Sequence, residues 1–143
     1  MLGPSVTPIR GVRMVPGVTL QAGLAFGFDR EVTEAHTAVA RSSGEVEVLA
    51  TPEVLAWCEE ATMAAIAGEL PEGETAVGMR VRLDHVRPTP VGTRIAVRAE
   101  LMKVEGRRLT FDVCASDSRG EIASGQVIRI VVDHDRFMEN AGR

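Results

Sequence analysis

The chain has 143 residues, of which 45% are apolar and 25% charged, and its formal net charge is −4. This length allows one domain with its own core, and the composition is typical of a globular protein rather than a disordered or fibrous one. Aromatic residues make up only 3%, which argues against the aromatic platforms that stack RNA bases. The acidic balance also argues against general nucleic-acid binding.

No apolar run approaches the roughly 18–20 residues that a membrane-spanning helix needs, so no membrane partner is expected. Residues 1–16 hold prolines and arginines without the apolar segment of a signal peptide, and they are predicted to be a flexible leader. A single domain is predicted over residues 17–137, followed by a C-terminal tail over residues 138–143. Cys58 and Cys114 are too few for a disulfide framework and lack metal-ligand spacing. The sequence therefore predicts a cytoplasmic protein with no bound metal.

The predicted elements begin with one strand and one long helix. Alternating apolar residues predict the strand over residues 17–32, and the polar stretch that follows predicts a loop or a short helix. The helix is predicted over residues 52–70, with Thr51 as its N-cap and a proline in its first turn. Pro71 and Gly73 are the predicted stop signals. Most of this helix is apolar, which indicates that it is buried.

Four further strands with period-2 alternation follow the helix, separated by short turns that favour antiparallel hairpins. They are predicted over residues 75–86, 93–104, 109–115 and 122–133. This order predicts an α+β architecture in which an antiparallel sheet wraps around one central helix, as in a hotdog fold. Such a sheet leaves strand edges and an apolar flank exposed, so a homodimer is predicted.

His85 is an unusual residue within its predicted strand. It shares its alternation with apolar residues, namely Val77, Met79, Val81 and Leu83. An imidazole on an apolar face needs a polar partner, because a buried polar group without one costs a few kcal/mol. The two interpretations are a functional side chain and a structural histidine bonded to the backbone.

Glu59 is the second unusual residue, since it lies on the flank of the helical apolar stripe beside Leu55 and Met63. A carboxylate there is a candidate acid, base or nucleophile, although a side chain that reaches solvent at the helix edge fits the same pattern. The adjacent Glu60 projects away from the stripe and is interpreted as a solvated charge. Gly78 interrupts a β-branched strand, which indicates a bulge or a close approach of a ligand to the backbone.

Basic residues are concentrated in the strand region. Residues 75–110 contain eight Lys or Arg against three Asp or Glu. This local excess suits a small ligand that carries phosphates, although solvated strand faces would produce the same composition.

Together these landmarks resemble the fluoroacetyl-CoA thioesterase-like group of hotdog-fold acyl-CoA thioesterases, over about residues 47–137. The resemblance is carried by the spacing of Thr51, Glu59, Gly78 and His85, and by the Val-Glu-Gly-Arg-Arg-Leu run that begins at residue 104. It implies that Thr51, Glu59 and His85 are catalytic and that the Gly78 backbone lies beside the thioester carbonyl. We therefore expect Glu59 and His85 to meet at one cavity.

The function implied by this resemblance is hydrolysis of a small or medium acyl-CoA to the free acid and CoA. CoA would be part of the substrate, and no separate cofactor is expected. Arginines that could meet its phosphates are Arg87, Arg94, Arg107 and Arg108. The lid phenylalanines of the fluoroacetate-specific enzyme align with Ser42 and Glu45, so an acyl group other than fluoroacetyl is expected.

Two other functions fit the same fold. A hotdog acyl-CoA hydratase would need an Asp/His pair on a hydration motif, which the sequence lacks. A non-catalytic acyl-CoA-binding protein would keep the fold and the basic strands without needing an ionisable Glu59.

Overall fold

The structure is a computed structural model that describes residues 20–142. These residues form five strands and two α-helices in the order β1 (Ala25–Glu31), α1 (Thr51–Ala65), β2 (Glu74–His85), β3 (Arg94–Glu105), β4 (Arg108–Asp117), β5 (Gly120–Asp133) and α2 (His134–Ala141), with a 3-10 turn at Glu34–His36 before α1. All strand pairs are antiparallel, and the sheet order is β1-β3-β4-β5-β2. Helix α1 packs against this sheet. The predicted α+β architecture is confirmed.

The core lies between α1 and the inner face of the sheet. Alternate residues of the central strands are buried there, including Ile95, Val97, Ala99, Leu101, Leu109, Phe111, Val113 and Ala115. Helix α1 buries Val54, Trp57 and Cys58 against them. Burial raises the pKa of the Cys58 thiol to about 12, which agrees with its interpretation as a core residue.

The ends of α1 differ from the prediction. Ala50 is the N-cap, and Thr51 is the first residue of the helix. The Thr51 hydroxyl makes no capping bond, so the N-cap prediction for Thr51 is wrong. The helix ends at Ala65 rather than at residue 70. Gly68, which has a φ of 78°, turns the chain before the proline and glycine that were expected to stop it.

The two ends of the described chain also differ from expectation. Strand β1 begins at Ala25, after a turn in which Gly23 has a φ of 109°. The predicted leader over residues 1–16, and the start of the predicted first strand, lie outside the described residues. Much of the predicted tail belongs to α2, whose N-cap Asp133 accepts a hydrogen bond from the Arg136 amide. An aspartate before a polar run is an N-cap signal that the sequence analysis passed over.

Strand β2 contains a bulge that changes which side chains face inward. Its register against β5 shifts between Gly78 and Arg80, so Met79 is the extra residue and is 47% exposed. A bulge reverses the parity of the strand, since two residues then oppose one. Val77 therefore does not share the face of His85, and Met79 has no partner on β5, contrary to the uniform alternation that was predicted. The bulge expected at Gly78 is present.

Strand β2 is also an edge of the sheet. It pairs with β5 on one side, and within residues 20–142 it has no neighbour on the other. A long free edge presents unpaired backbone groups to another strand.

In the described part of the chain, no helix combines the length and apolar character that crossing a bilayer requires.

Candidate active site

A hydrogen bond joins the start of α1 to the end of β2. Thr51 Oγ1 lies 2.8 Å from His85 Nδ1. Thr51 is available for this contact because the Ala50 carbonyl, and not the Thr51 side chain, meets the first amides of the helix. His85 is fixed by the neighbouring amide of Val86, which donates to the Ile122 carbonyl at 2.8 Å.

The environment of His85 favours a neutral ring. Burial lowers the pKa of His85, and an interaction with the backbone of Arg87 offsets part of that effect. The ring Nε2 is buried and has no hydrogen-bond partner among the residues that the structure describes. A neutral imidazole that accepts from the Thr51 hydroxyl at Nδ1 carries its proton on Nε2. The pair therefore has the composition of a hydroxyl and a general base.

Glu59 lies two turns further along α1, against Gly78 of β2. Its side chain is 34% exposed. A Cβ added to Gly78 would lie 2.8 Å from Glu59 Oε2, which is closer than a real Cβ contact allows. A glycine is therefore needed at this position for the carboxylate to keep its place.

Arg129 of β5 contacts Glu59, and no role for Arg129 was predicted from the sequence. Its side chain is buried, donating to Thr62 Oγ1 at 2.8 Å, to the Ala76 carbonyl at 3.1 Å and to the Glu59 carbonyl at 3.3 Å. Its Nη2 lies 3.9 Å from Glu59 Oε2. Burial lowers the pKa of Arg129 while the charge of Glu59 opposes that effect. A lone arginine inside the apolar run of β5 was the signal that could have identified this buried cation.

The two groups of residues lie at different places in one chain. Eight residues of α1 between Thr51 and Glu59 correspond to about 12 Å. Seven residues of β2 between Gly78 and His85 correspond to roughly 20 Å, allowing for the bulge. Thr51 is bonded to His85 and Glu59 lies beside Gly78, so within a single chain the expected meeting of Glu59 and His85 does not occur.

The four candidate phosphate-binding arginines are not brought together either. Arg87 is held by both oxygens of Asp117, at 2.7 and 3.0 Å, and donates to the Gly120 carbonyl at 2.9 Å. This contact lowers the pKa of Asp117 to about 2. Arg107 contacts Glu74 at 3.1 Å.

The remaining two arginines lie on other strands. Arg94 lies 3.5 Å from Asp29 at the sheet edge away from β2, and Arg108 is half-buried on β4. Each of the four therefore lies in a different local setting.

A cavity of about 310 Å³ adjoins the Thr51–His85 pair. It lies between the segment of residues 38–51 and residues 85–88. A larger groove of about 460 Å³ is lined by outward-facing polar residues of the sheet, including Arg98, Asp112 and Gln126, and does not include the pair. Over residues 20–142, no group of three His, Cys, Asp or Glu side chains is arranged to hold a metal ion.

Comparison with known proteins gives the family. The family model described as fluoroacetyl-CoA-specific thioesterase matches residues 32–135. The chain belongs to this family. A fluoroacetyl-CoA thioesterase from Streptantibioticus cattleyicolor is 40% identical over 91 residues, which cover 64% of this chain and 66% of that protein.

Solved structures agree with this assignment. The fluoroacetyl-CoA thioesterase FlK superimposes with a TM-score of 0.80 at 32% identity, covering 85% of this chain and 95% of FlK. A FlK variant has been solved with fluoroacetate and CoA. A hot-dog-like protein from Thermanaerovibrio acidaminovorans gives a TM-score of 0.78 at 25% identity, covering 84% and 89% of the two chains. The resemblance and the hotdog fold predicted from the sequence are confirmed, and the chain lies within a family of thioester hydrolases.

Proposed function

We propose that this protein hydrolyses a small or medium acyl-CoA thioester to the free acid and CoA. The observation that carries the proposal is the 2.8 Å hydrogen bond between Thr51 and His85, in which a desolvated neutral imidazole meets a hydroxyl beside a cavity. The carboxylate of Glu59, held by Arg129, supplies the second requirement of the reaction. The predicted cytoplasmic location stays a prediction.

We further propose that the protein is a homodimer in which the free edges of β2 pair across a two-fold axis. Residues 78 and 85 are equidistant along β2 from the point between Val81 and Arg82. Antiparallel pairing centred there brings Gly78 of one subunit opposite His85 of the partner subunit. Glu59 of one subunit then faces the Thr51–His85 pair of the other, and two equivalent sites are formed.

The chemistry follows from these positions. Glu59 either attacks the thioester carbonyl or takes a proton from an attacking water, so that a new C–O bond forms. The developing oxyanion is stabilised by hydrogen-bond donors, for which the Gly78 amide is the candidate. The Thr51 hydroxyl becomes a second donor when its single proton turns from His85 Nδ1 to the oxyanion. The C–S bond then breaks and CoA leaves as the thiolate. The neutral His85 takes up the proton that the reacting water gives up and passes it to the CoA sulfur, so that the ring ends neutral again. If Glu59 forms an anhydride, water hydrolyses it in a second step.

Binding of the CoA portion is supported by the family, since FlK has been solved in complex with CoA. We retain Arg94, Arg107 and Arg108 as candidate phosphate ligands in the assembled dimer. Arg87 and Arg107 are weaker candidates than Arg94 and Arg108, because Asp117 and Glu74 already pair with their guanidinium groups.

The test is thiol release from a panel of acyl-CoA substrates by the wild-type protein and by Glu59→Gln. We expect turnover by the wild type and a loss of about 10²–10⁴-fold in kcat for the variant. Glu60→Gln is the matched control, since the neighbouring Glu60 binds Arg30 at 2.8 Å and takes no part in the proposed site.

Two measurements made beside thiol release separate the alternatives. Binding of acyl-CoA without thiol release from any substrate would favour a non-catalytic binding protein, and addition of water to an enoyl-CoA would favour a hydratase. Equal loss of activity in Glu59→Gln and Glu60→Gln would remove the specific role given to Glu59.

A further inference from the structure

The cavity beside Thr51 and His85 has a chemical character that restricts the substrate. We propose that it holds the acyl group of the thioester, and that this acyl group is a neutral aliphatic chain several carbons long. The inference rests on the proposed function, because it assigns one part of the same substrate. At about 310 Å³, the cavity is at the small end of the range of about 300–1,000 Å³ that is usual for small-molecule sites.

One wall of the cavity is the segment of residues 38–48, which is anchored at both ends. The Ala38 amide donates to the Val48 carbonyl at 2.9 Å, and Val48 forms an isolated bridge with Pro90. Arg41 of the same segment binds Glu53 in the first turn of α1 at 2.7 Å. The wall is therefore held by contacts with the rest of the domain, and its shape does not depend on a bound acyl chain.

The lining is mostly small and apolar. Its apolar members include Ala38, Val46, Val48, Val86 and Pro88. In the described part of the chain, His85 is the lining residue with an aromatic ring. Val46, which lies away from the β2 edge, is 57% exposed, so an aliphatic chain that enters beside it would cover apolar surface that otherwise meets water.

The charges around the cavity disfavour a charged group inside it, whether on the acyl chain or on CoA. Among the described lining residues, the Lys or Arg side chain is that of Arg87, and Asp117 neutralises its charge through two hydrogen bonds. Arg41 is likewise engaged by Glu53. A carboxylate on the acyl group would lose its hydration without gaining an unpaired cation. The phosphates of CoA would be equally unfavourable here, so the nucleotide lies outside this cavity.

The experiment compares thiol release from acetyl-, butyryl-, isovaleryl-, hexanoyl-, malonyl- and succinyl-CoA. We expect kcat/KM to rise from acetyl-CoA to the longer neutral substrates, and to be at least about tenfold lower for succinyl-CoA than for butyryl-CoA. Val48→Phe should fill the cavity and reduce kcat/KM for hexanoyl-CoA by about tenfold while leaving acetyl-CoA within a few-fold.

Two controls keep the outcomes distinct. Val91→Phe adds the same ring at an exposed valine outside the cavity lining and should leave the chain-length profile unchanged. Val46→Phe places the ring at the exposed rim, in case Val48→Phe does not fold. Thiol release with a preference for succinyl- or malonyl-CoA, or a profile that neither cavity variant shifts, would overturn this inference alone. Absence of thiol release from every thioester would instead overturn the proposed function.

Discussion

The two ends of β2 carry different kinds of chemistry. At one end Thr51 and His85 form a neutral pair in which burial lowers the pKa of the imidazole. At the other end Glu59 lies 3.9 Å from the buried guanidinium of Arg129, in a space left open by Gly78. The first pair can accept and deliver a proton, and the second supplies a carboxylate with a fixed position.

In the proposed mechanism, this difference leaves a single chain incomplete as a hydrolase. Thioester hydrolysis needs an attacking group, a proton carrier and a donor for the oxyanion at one carbonyl. Each end of β2 supplies part of that set, and the intervening strand keeps the parts roughly 20 Å apart. A partner strand that runs in the opposite direction brings the two ends together without any change within either chain.

The largest expected effect is at the neutral end. His85→Ala should reduce kcat by about 10²–10⁴-fold because the proton carrier is removed. In the wild type, activity should fall as the pH drops through the lowered pKa of His85, so the acidic limb of kcat/KM should lie below the ordinary histidine value of 6.5. A pH profile of the wild type and of the residual activity of His85→Ala checks both points. An acidic limb that is identical in the two proteins would assign the titration to another group.

A smaller loss is expected from a change at the charged end. Gly78→Ala places a methyl carbon 2.8 Å from the present position of Glu59 Oε2, and displacement of the carboxylate should reduce kcat by about 10- to 100-fold. Steady-state kinetics on Glu59→Gln, Gly78→Ala and the double variant form the test. Because the methyl group acts through the carboxylate, the double variant should be no slower than Glu59→Gln alone. Additive losses would mean that Gly78 acts independently of Glu59.

The smallest expected effect is on stability, at the Arg87–Asp117 pair, which lies just beyond His85 and the end of β2. The carboxyl pKa is about 2 in the folded protein against an ordinary value of 3.8. Stabilisation by this depressed pKa is present above the ordinary value and is lost as the pH falls towards about 2. Asp117→Asn should therefore be less stable than the wild type at neutral pH, with the difference shrinking as the solution is acidified.

Urea unfolding of both proteins across this pH range measures the difference in free energy of unfolding. Glu105→Gln is the control, since Glu105 lies in an exposed pair with Lys103 at 3.9 Å. A difference between Asp117→Asn and the wild type that stays constant with pH would show that the ionised carboxylate is not the stabilising species.

Much of the fold could be predicted because the sequence repeats a simple period. Alternation along β3 and β4 and the short turns between strands identify the meander, and the apolar character of α1 identifies the buried helix. The ends were predicted less well. Gly68 ends α1 early, and Asp133 caps a helix, α2, that was not predicted, because local capping decides such boundaries rather than periodicity.

The candidate site could be predicted only in part. The alternation of apolar residues along β2 predicted that His85 lies on the inner face. The helical pattern placed Glu59 beside the apolar stripe and Glu60 away from it. A bulge was one of two interpretations of Gly78, but alternation alone could not show that Met79 is the extra residue or that the parity reverses there. Arg129 was missed because its role depends on carbonyl groups of distant residues, Ala76 and Glu59, that only the folded chain brings together.

The most direct test of the shared site is a subunit-mixing experiment with two inactive variants. Glu59→Gln and His85→Ala are each purified, mixed under conditions that exchange subunits, and assayed for thiol release. A mixed dimer holds one site with both native residues if Glu59 and His85 come from different subunits, so activity should recover to about a quarter of the wild-type value at statistical exchange. If mixed dimers form and remain as inactive as the parent variants, the site does not combine Glu59 and His85 across the interface, and the account is contradicted.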